Sequence, residues 1–428
     1  MRMLVCAVLI AAAQISSGPE RSIVAAVDAN NAAALALLER VVNINSGTHN
    51  FAGVRAVGDL FAKELIALGF QAGWVDGAPF KRAGHLVAGH LVAGPAPKIL
   101  LIGHLDTVFE PDSPFQKFER VDATHARGPG IIDMKGGDVI IVSALKALKS
   151  AGVLDRMNVM VVMTGDEEDS GDPQALARQA LVDAATGADY ALGFEDGPGD
   201  PKFAVTARRG TSSWKLEVKG KTGHSSQIFR SDVGYGANYE LARIVDGFRR
   251  KLAGEPHLTF NPSLILGGTA MDVDDVLAKG TASGKTNVIA ARAVALGDLR
   301  TLSKEQLQHA RDTMKAVVAE APLGQTQATL TFEDGYPSLP PTPGNEALLV
   351  AYDKASQDLG FGRVAPVSPD RAGAADVSFV SGQVKSIIDG IGLMGTDDHS
   401  PSETADLATL PSQTKRAAIL LYRLTSRR

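Results

Sequence analysis

The sequence predicts an α/β protein: one mostly parallel-sheet domain made from two chain segments, with a smaller α+β unit inserted between them. Three observations carry this. Short continuous apolar runs, KILLIG at 98–103 and NVMVVM at 158–163, alternate with helical stretches, as strands buried on both faces of a parallel sheet do. From about Arg209 the texture changes, and TSSWKLEVKG at 211–220 alternates like an antiparallel strand with one wet face. After the linker YPSLPPTPG at 336–344 the α/β texture resumes.

Taken in order, DANNAAALALLERVV and VGDLFAKELIALG within Asp28–Gly69 are amphipathic at helical spacing. The tandem HLVAGHLVAG at 85–94 reads as two short strands around a glycine turn. Lys98–Gly103 is a strand, Asp138–Ser150 a helix, Asn158–Met163 a strand and Pro173–Ala185 a helix. The inserted part runs strand 211–220, helix 235–252, strands 258–266 and 287–300, helix 304–321, strand 327–332. That order is β-α-β-β-α-β, a ferredoxin-like unit. A helix at Asn345–Leu359, a strand near Ile387 and a last helix from about Pro401 to Leu424 complete the chain. The divisions are 1–18, 19–208, 209–335 for the insert, and 336–428.

The chain has 428 residues, 45% hydrophobic and 21% charged, with a net charge of −5. Composition is that of a soluble globular protein, and no basic field exists to hold nucleic acid. Residues 1–18 have Arg2 as a short positive region, an apolar run from Met3 to Ala13, and small residues after it. They read as a secretory signal, too short to span a bilayer, so the expectation is a periplasmic or secreted protein that leaves the membrane once the signal is cleaved. The single cysteine is Cys6, inside that segment. Any metal in the mature chain is therefore held by His, Asp and Glu.

The chemistry-bearing residues fall where buried strands end. His104 and Asp106 follow KILLI and sit two residues apart, so in extended backbone both face one spot. A carboxylate beside a ligating His is the usual device for fixing its tautomer. Asp133 lies in GPGIIDMKGG, where a helix N-cap explains it equally well. Glu167 and Glu168 lie in TGDEEDSG after NVMVVM. Crowded carboxylates repel unless solvated or held by cations. Glu195 lies in FEDG, with Asp196 beside it as the alternative, and His399 lies in GTDDHSPSE. Ser400, Pro401 and Glu403 read as N-cap, N1 and N3 of the last helix, a capping box. The set supplies two imidazoles and several carboxylates, which suits a pair of Zn²⁺ ions. Active sites in open α/β sheets gather at the carboxyl ends of strands.

GHLDTVF, GPGIIDMKGG, TGDEEDSG, FEDG and GTDDHS, in that order around an inserted domain, resemble the M20 family of zinc peptidases, nearest its glutamate carboxypeptidase branch. The resemblance implies a phosphorylase/hydrolase-like catalytic domain and an inserted dimerisation domain. It implies two Zn²⁺ per chain, replaceable by Co²⁺ or Mn²⁺. His104 would bind one ion and His399 the other, with Asp133 bridging, Glu168 completing the His399 side and Glu195 the His104 side. Asp106 would orient His104, and Glu167 would be the general base. His224, in KGKTGHSS, would reach the partner subunit's active site in a homodimer and stabilise the oxyanion, while Asn287 and Arg300 would hold substrate. The family's Gly-Gly-Thr-Asp-Ala-like loop is reduced here to Arg371-Ala-Gly-Ala-Ala-Asp376. The implied activity is a carboxypeptidase hydrolysing an amide next to a free carboxylate, releasing glutamate or aspartate from a peptide. The alternatives are an N-acyl amino acid deacylase or desuccinylase of the same family, and, from another class, a periplasmic solute-binding protein.

Overall fold

The computed structural model describes Ile15 and residues 18–426. The proposed signal segment lies outside the described residues apart from Ile15 and Gly18. The described chain forms two compact units, one built from the residues up to Thr206 together with those from Pro341, the other from Ala207–Pro340.

The first unit opens with α1 (Gly18–Val42) and α2 (Phe51–Ala67). The first helix thus starts ten residues before the predicted stretch, because Ile23 and Val27 extend its apolar stripe into the core. It is long and apolar enough to cross a membrane by composition, but Ile23, Leu38, Val41 and Val42 are buried inside this unit. Next come β1 (Gln71–Asp76), β2 (Gly84–His90) and β3 (Lys98–His104). The tandem repeat is therefore one strand rather than two. Its first copy pairs with β1 on one side and with the later Val159–Met163 segment on the other. Its second copy leaves the sheet at Leu91, which is exposed.

After the short strands β4 (Glu119–Arg120) and β5 (His125–Arg127) come α3 (Lys135–Ser150) and β6 (Asn158–Thr164). The predicted helix over 173–185 breaks at Arg178 into α4 (Gln174–Ala177) and α5 (Gln179–Ala185). Arg178 turns inward there to meet Asp166. The first segment ends with β7 (Tyr190–Gly193) and β8 (Phe203–Ala204).

The second unit contains β9 (Gly210–Gly220), α6 (Gly236–Leu252), β10 (Thr259–Gly268), β11 (Ala270–Asp274), β12 (Lys279–Ser283), β13 (Arg292–Thr301), α7 (Lys304–Ala319) and β14 (Thr326–Asp334). Its antiparallel sheet has the order β10-β13-β9-β14. Alternate residues Trp214, Leu216 and Val218 of β9 join Ile244 and Phe248 of α6 and Met314 of α7 in one core. The hairpin β11–β12 is an addition to the predicted β-α-β-β-α-β order, formed by a polar, glycine-containing stretch that carries no strand-like apolar run.

The chain returns to the first unit with α8 (Pro343–Asp358), β15 (Ala365–Pro366), β16 (Ser386–Ile388), β17 (Gly395–Thr396), β18 (Thr404–Asp406) and α9 (Thr409–Ser426). The last helix begins at Thr409, so Ser400, Pro401 and Glu403 form no capping box. Residues 404–406 pair with β5 instead, and Glu403 turns inward, as described below. His399 accordingly sits in the turn joining β17 to β18.

The main sheet has the order β1-β2-β6-β3-β7-β16. Strands β6, β3, β7 and β16 are mutually parallel, and β1 and β2 run antiparallel at one edge. Both faces of the parallel part are covered. Gly103 faces Asp138 and Met134 on the α3 side, while Gly193, the register partner of the preceding Ile102, faces Val377. Consecutive strand residues point to opposite faces, so α3 and the short turn at Asp376–Val380 cover opposite sides.

Close approach at Gly137 locks α3 to the end of β7. A Cβ there would lie 2.0 Å from the Phe194 carbonyl oxygen. Gly137→Ala should destabilise the protein by about 1–3 kcal/mol through overpacking against backbone, read as a lowered melting temperature. An unchanged melt would show that this contact relaxes freely.

Candidate metal centre

The adjacent strands β6, β3 and β7 end side by side, with His104 opposite Thr164. Their carboxyl ends deliver Glu167 and Glu168, then His104 and Asp106, then Glu195. Asp133 arrives from the turn before α3, and His399 from the β17–β18 turn with φ +56°. Five segments far apart in sequence thus meet at one place.

His104 Nε2 lies 3.0 Å from Asp133 Oδ1 and 3.5 Å from Glu195 Oε1. His399 Nε2 lies 2.8 Å from Asp133 Oδ2 and 3.1 Å from Glu168 Oε2. Each Asp133 oxygen therefore serves one imidazole. Two groups with ligand atoms all within 4.8 Å result, His104–Asp133–Glu195 and Asp133–Glu168–His399, sharing Asp133. Of the adjacent pair 195 and 196, it is Glu195 that enters a group. One further observation fits a cation: Glu168 Oε1 is buried with no hydrogen-bond partner among the described residues. Imidazole and carboxylate donors of this kind suit divalent ions such as zinc.

The residues around these ligands set their orientation. His104 Nδ1 is 3.1 Å from the Asp106 main-chain oxygen and 3.5 Å from its carboxylate. A proton on Nδ1 donated to that carbonyl leaves the Nε2 lone pair facing Asp133. The Asp106 carboxylate has other bonds to make. It accepts from Thr48 Oγ1 at 2.7 Å, the Glu167 amide at 3.0 Å and the Glu168 amide at 3.2 Å. It thereby ties the β3 end to the β6 end.

Glu403 does the same for the Asp133 turn. It accepts from the amides of Gly130 at 2.9 Å, Ile132 at 2.8 Å and Asp133 at 3.2 Å. Glu403 and Thr48 carry no local sequence signal of these roles, since each partner lies dozens of residues away. The sequence placed Glu403 in a helix cap.

Burial dominates the electrostatics. It pushes the Glu195 and Glu167 carboxyls well above the usual range, and neighbouring carboxylates add to this. Burial and Asp133 raise Glu168 to about 7, and burial raises Glu403 to about 8. Burial lowers Lys135 to about 7. For His104, burial opposes the charge, but Glu195, Asp106 and Asp133 outweigh it and hold the ring well above the usual histidine range. Hydrogen bonds to Asp133 and then Glu168 raise His399 to about 11. Burial alone would raise Asp133, but the two imidazoles outweigh it and hold the carboxyl low.

In the second unit, His224 is exposed just after β9, and Asn287 lies beside it, its carbonyl accepting the Ser225 amide at 2.9 Å. His224 Nδ1 accepts from the Ser226 amide at 3.3 Å and meets its hydroxyl at 2.8 Å. That arrangement leaves Nε2–H as an outward donor in the neutral ring. Arg300 is elsewhere: it pairs with Thr211 near the opposite end of β13 and β9, and its Nε lies 3.1 Å from Asp298. Eight residues of strand at ~3.3 Å each separate Arg300 from the His224 end by roughly 26 Å.

A parallel-sheet domain with paired His–carboxylate groups at its strand ends is the framework of a metal-dependent hydrolase. The chain belongs to peptidase family M20/M25/M40, whose model matches residues 100–423. It is 27% identical to carboxypeptidase G2 of Pseudomonas sp. (strain RS-16) over 398 residues, covering 92% of this chain and 89% of that protein. It is 27% identical to a succinyl-diaminopimelate desuccinylase of Gluconacetobacter diazotrophicus over 340 residues, covering 77% of this chain and 81% of that protein. Among solved structures, aminopeptidase PepT from Bacillus cereus matches with a TM-score of 0.74 at 16% identity, covering 92% of this chain and 99% of that one. An M20 family metallo-carboxypeptidase from Sulfolobus solfataricus matches with a TM-score of 0.66 at 16% identity, covering the same shares, 92% and 99%. The fold is that of this family, and the chain is a hydrolase of the metallopeptidase type.

A pH dependence of metal uptake follows. Without metal, His399 is held protonated up to about 11 and Glu168 up to about 7. Ligation needs both deprotonated, so binding releases protons and affinity rises with pH. From pH 6 to 8, zinc affinity from chelator competition should rise by nearly 100-fold per unit at the acid end, easing to about tenfold per unit once Glu168 is ionised. A flat profile would mean that His399 is not a ligand.

Proposed function

We propose that this chain is a zinc-dependent exopeptidase that hydrolyses an amide bond next to a free carboxylate and releases a C-terminal acidic residue, glutamate or aspartate. The observation that carries the reading is the pair of His–carboxylate groups sharing Asp133, with Glu167 next to one ligand. His104, Asp133 and Glu195 would hold one Zn²⁺, and Asp133, Glu168 and His399 the other. When bound, the two ions polarise the amide carbonyl and make a water nucleophilic near neutral pH. Glu167 takes the proton of the attacking water and returns it to the leaving nitrogen, and Asp106 keeps His104 and the Glu167–Glu168 turn in register.

Homodimerisation belongs to the proposal. His224 and Asn287 sit roughly 26 Å from Arg300 along one sheet, too far for a single small substrate to touch both ends within one unit. A substrate gripped by Arg300 of one protomer and met by the His224 Nε2–H of its partner satisfies both. Arg300 suits carboxylate capture, and a preorganised donor at the oxyanion contributes about 2.7–4 kcal/mol. The open edge β10 supports a second copy as the occupant. It borders an apolar cavity of about 760 Å³ lined by Trp214, Phe248, Phe260, Ile265 and Leu266. Residues 1–18 as an export signal would place the enzyme in the periplasm or outside the cell.

A desuccinylase is the second reading, favoured by the likeness to the Gluconacetobacter protein. Such a substrate carries an α-carboxylate beside the amide nitrogen, as a C-terminal residue does, and a second carboxylate on the acyl side.

The two are separated by assaying N-blocked dipeptides that vary only at the C-terminal residue against N-succinyl and other N-acyl amino acids, with added Zn²⁺. Release of C-terminal glutamate or aspartate from the blocked dipeptides, at rates well above the acyl panel, is expected. Glu167→Gln should keep its zinc and lose about 10²–10⁴-fold in kcat; turnover near wild type would move the base elsewhere. Mixing inactive His224→Ala with inactive Glu167→Gln should restore part of the activity. Failure to do so after demonstrated subunit exchange would place His224 outside the partner's site.

A further inference from the structure

Behind the Glu167–Glu168 turn lies a buried ionic cluster that the proposed chemistry does not use. Arg178, at the break between α4 and α5, has a side chain only 1% exposed. Its Nη1 donates to Asp166 Oδ1 at 2.5 Å, and its Nη2 to the Asp166 main-chain oxygen and to Ser170 Oγ, both at 2.9 Å. Its Nε lies 2.8 Å from Asp376 Oδ1. The other Asp376 oxygen accepts from Thr164 Oγ1 at 2.5 Å, and Asp166 Oδ2 accepts the Gly171 amide at 2.7 Å. His85 completes the ring of contacts, accepting the Gly165 amide at Nδ1 (3.2 Å) and donating from Nε2 to the Ala177 carbonyl at 2.6 Å.

Apart from the His85–Ala177 bond, which anchors the imidazole itself, these contacts hold the segment 164–171, which carries Glu167 and Glu168, or tie it to the turn at Asp376–Val380. We propose that Arg178 is a positioning residue: by clamping Asp166 to Asp376 it sets where the Glu167 and Glu168 carboxylates stand at the metal centre. The guanidinium suits this because its planar fork sends directed donors to the Asp166 carboxylate, the Asp166 carbonyl and the Ser170 hydroxyl while its charge pairs with Asp376. A lysine supplies the charge without that geometry. Removing a buried charge partner is costly in itself, so the test separates positioning from stability. The proposal rests on the assigned roles of Glu167 and Glu168, and a metal-binding readout keeps it independent of the substrate.

The variants are Arg178→Lys and Asp376→Asn in the full chain, each checked for cooperative melting and titrated with Co²⁺, whose visible spectrum reports ligand geometry. Arg178→Lys should bind the second cobalt ion at least about tenfold more weakly than wild type, with an altered spectrum. Its kcat should fall about 100-fold, as expected for a displacement near 1 Å, with KM within about threefold on whichever substrate the wild type turns over. Asp376→Asn should show the same changes to a smaller degree. A folded Arg178→Lys with wild-type cobalt spectrum, stoichiometry and kcat overturns the proposal. If that variant does not fold, a folded Asp376→Asn with wild-type cobalt binding overturns it. A wild-type chain that binds two ions but cleaves neither substrate panel would sink the exopeptidase reading and leave the cobalt test of the clamp standing.

Discussion

The structure depends on gathering carboxylates in one buried place. Glu167, Glu168, Glu195 and Glu403 surround Asp133, and burial raises each of these four above the ordinary carboxylate range. Desolvated like charges are expensive unless cations or hydrogen bonds meet them. Two imidazoles supply part of that compensation and main-chain amides another part. Charge from bound divalent ions is the complement such a cluster calls for, and the unpartnered Glu168 oxygen marks where some of it is needed.

The same bonds that satisfy the carboxylates also assemble the fold. Asp106 joins the ends of β3 and β6 by accepting the amides of 167 and 168. Glu403 joins the β17–β18 hairpin to the Asp133 turn by accepting the amides of 130, 132 and 133. Carboxylates that accept several backbone N–H groups are strongly held. The turns bearing the ligands are therefore held by main-chain bonds independent of the ligand atoms themselves, which is the kind of preorganisation that electrostatic catalysis draws on.

The second unit divides its polar residues between the ends of a single sheet. Its core is an ordinary one, with alternate β9 residues packed under α6 and α7. What sets it apart is the placement of His224 and Asn287 at one end and Arg300 at the other. An antiparallel register running from Gly210–Thr301 to Lys219–Arg292 enforces that separation. The two ends of the sheet thus carry different side-chain chemistry, an imidazole and an amide at one and a guanidinium at the other.

The residues of the candidate centre were legible in the sequence because each stands beside a local signal. His104 and Glu168 follow continuous apolar runs, Asp133 lies among glycines, and Glu195 closes another apolar stretch. The two-part organisation was legible because both hydrophobic periods leave their mark over ten or more residues. Where the local signal was ambiguous, only the tertiary structure decided. The second copy of HLVAG looks like the first but lacks a neighbouring strand, so it stays outside the sheet. Ser400-Pro-Ser-Glu403 has the letters of a helix cap, yet three unpaired amides at 130–133 offer Glu403 better partners. Arg178 sits in a helical pattern and breaks it to reach two buried aspartates. In each case a contact across tens or hundreds of residues outweighed a local preference of about 1 kcal/mol, and such contacts exist only once the chain has folded.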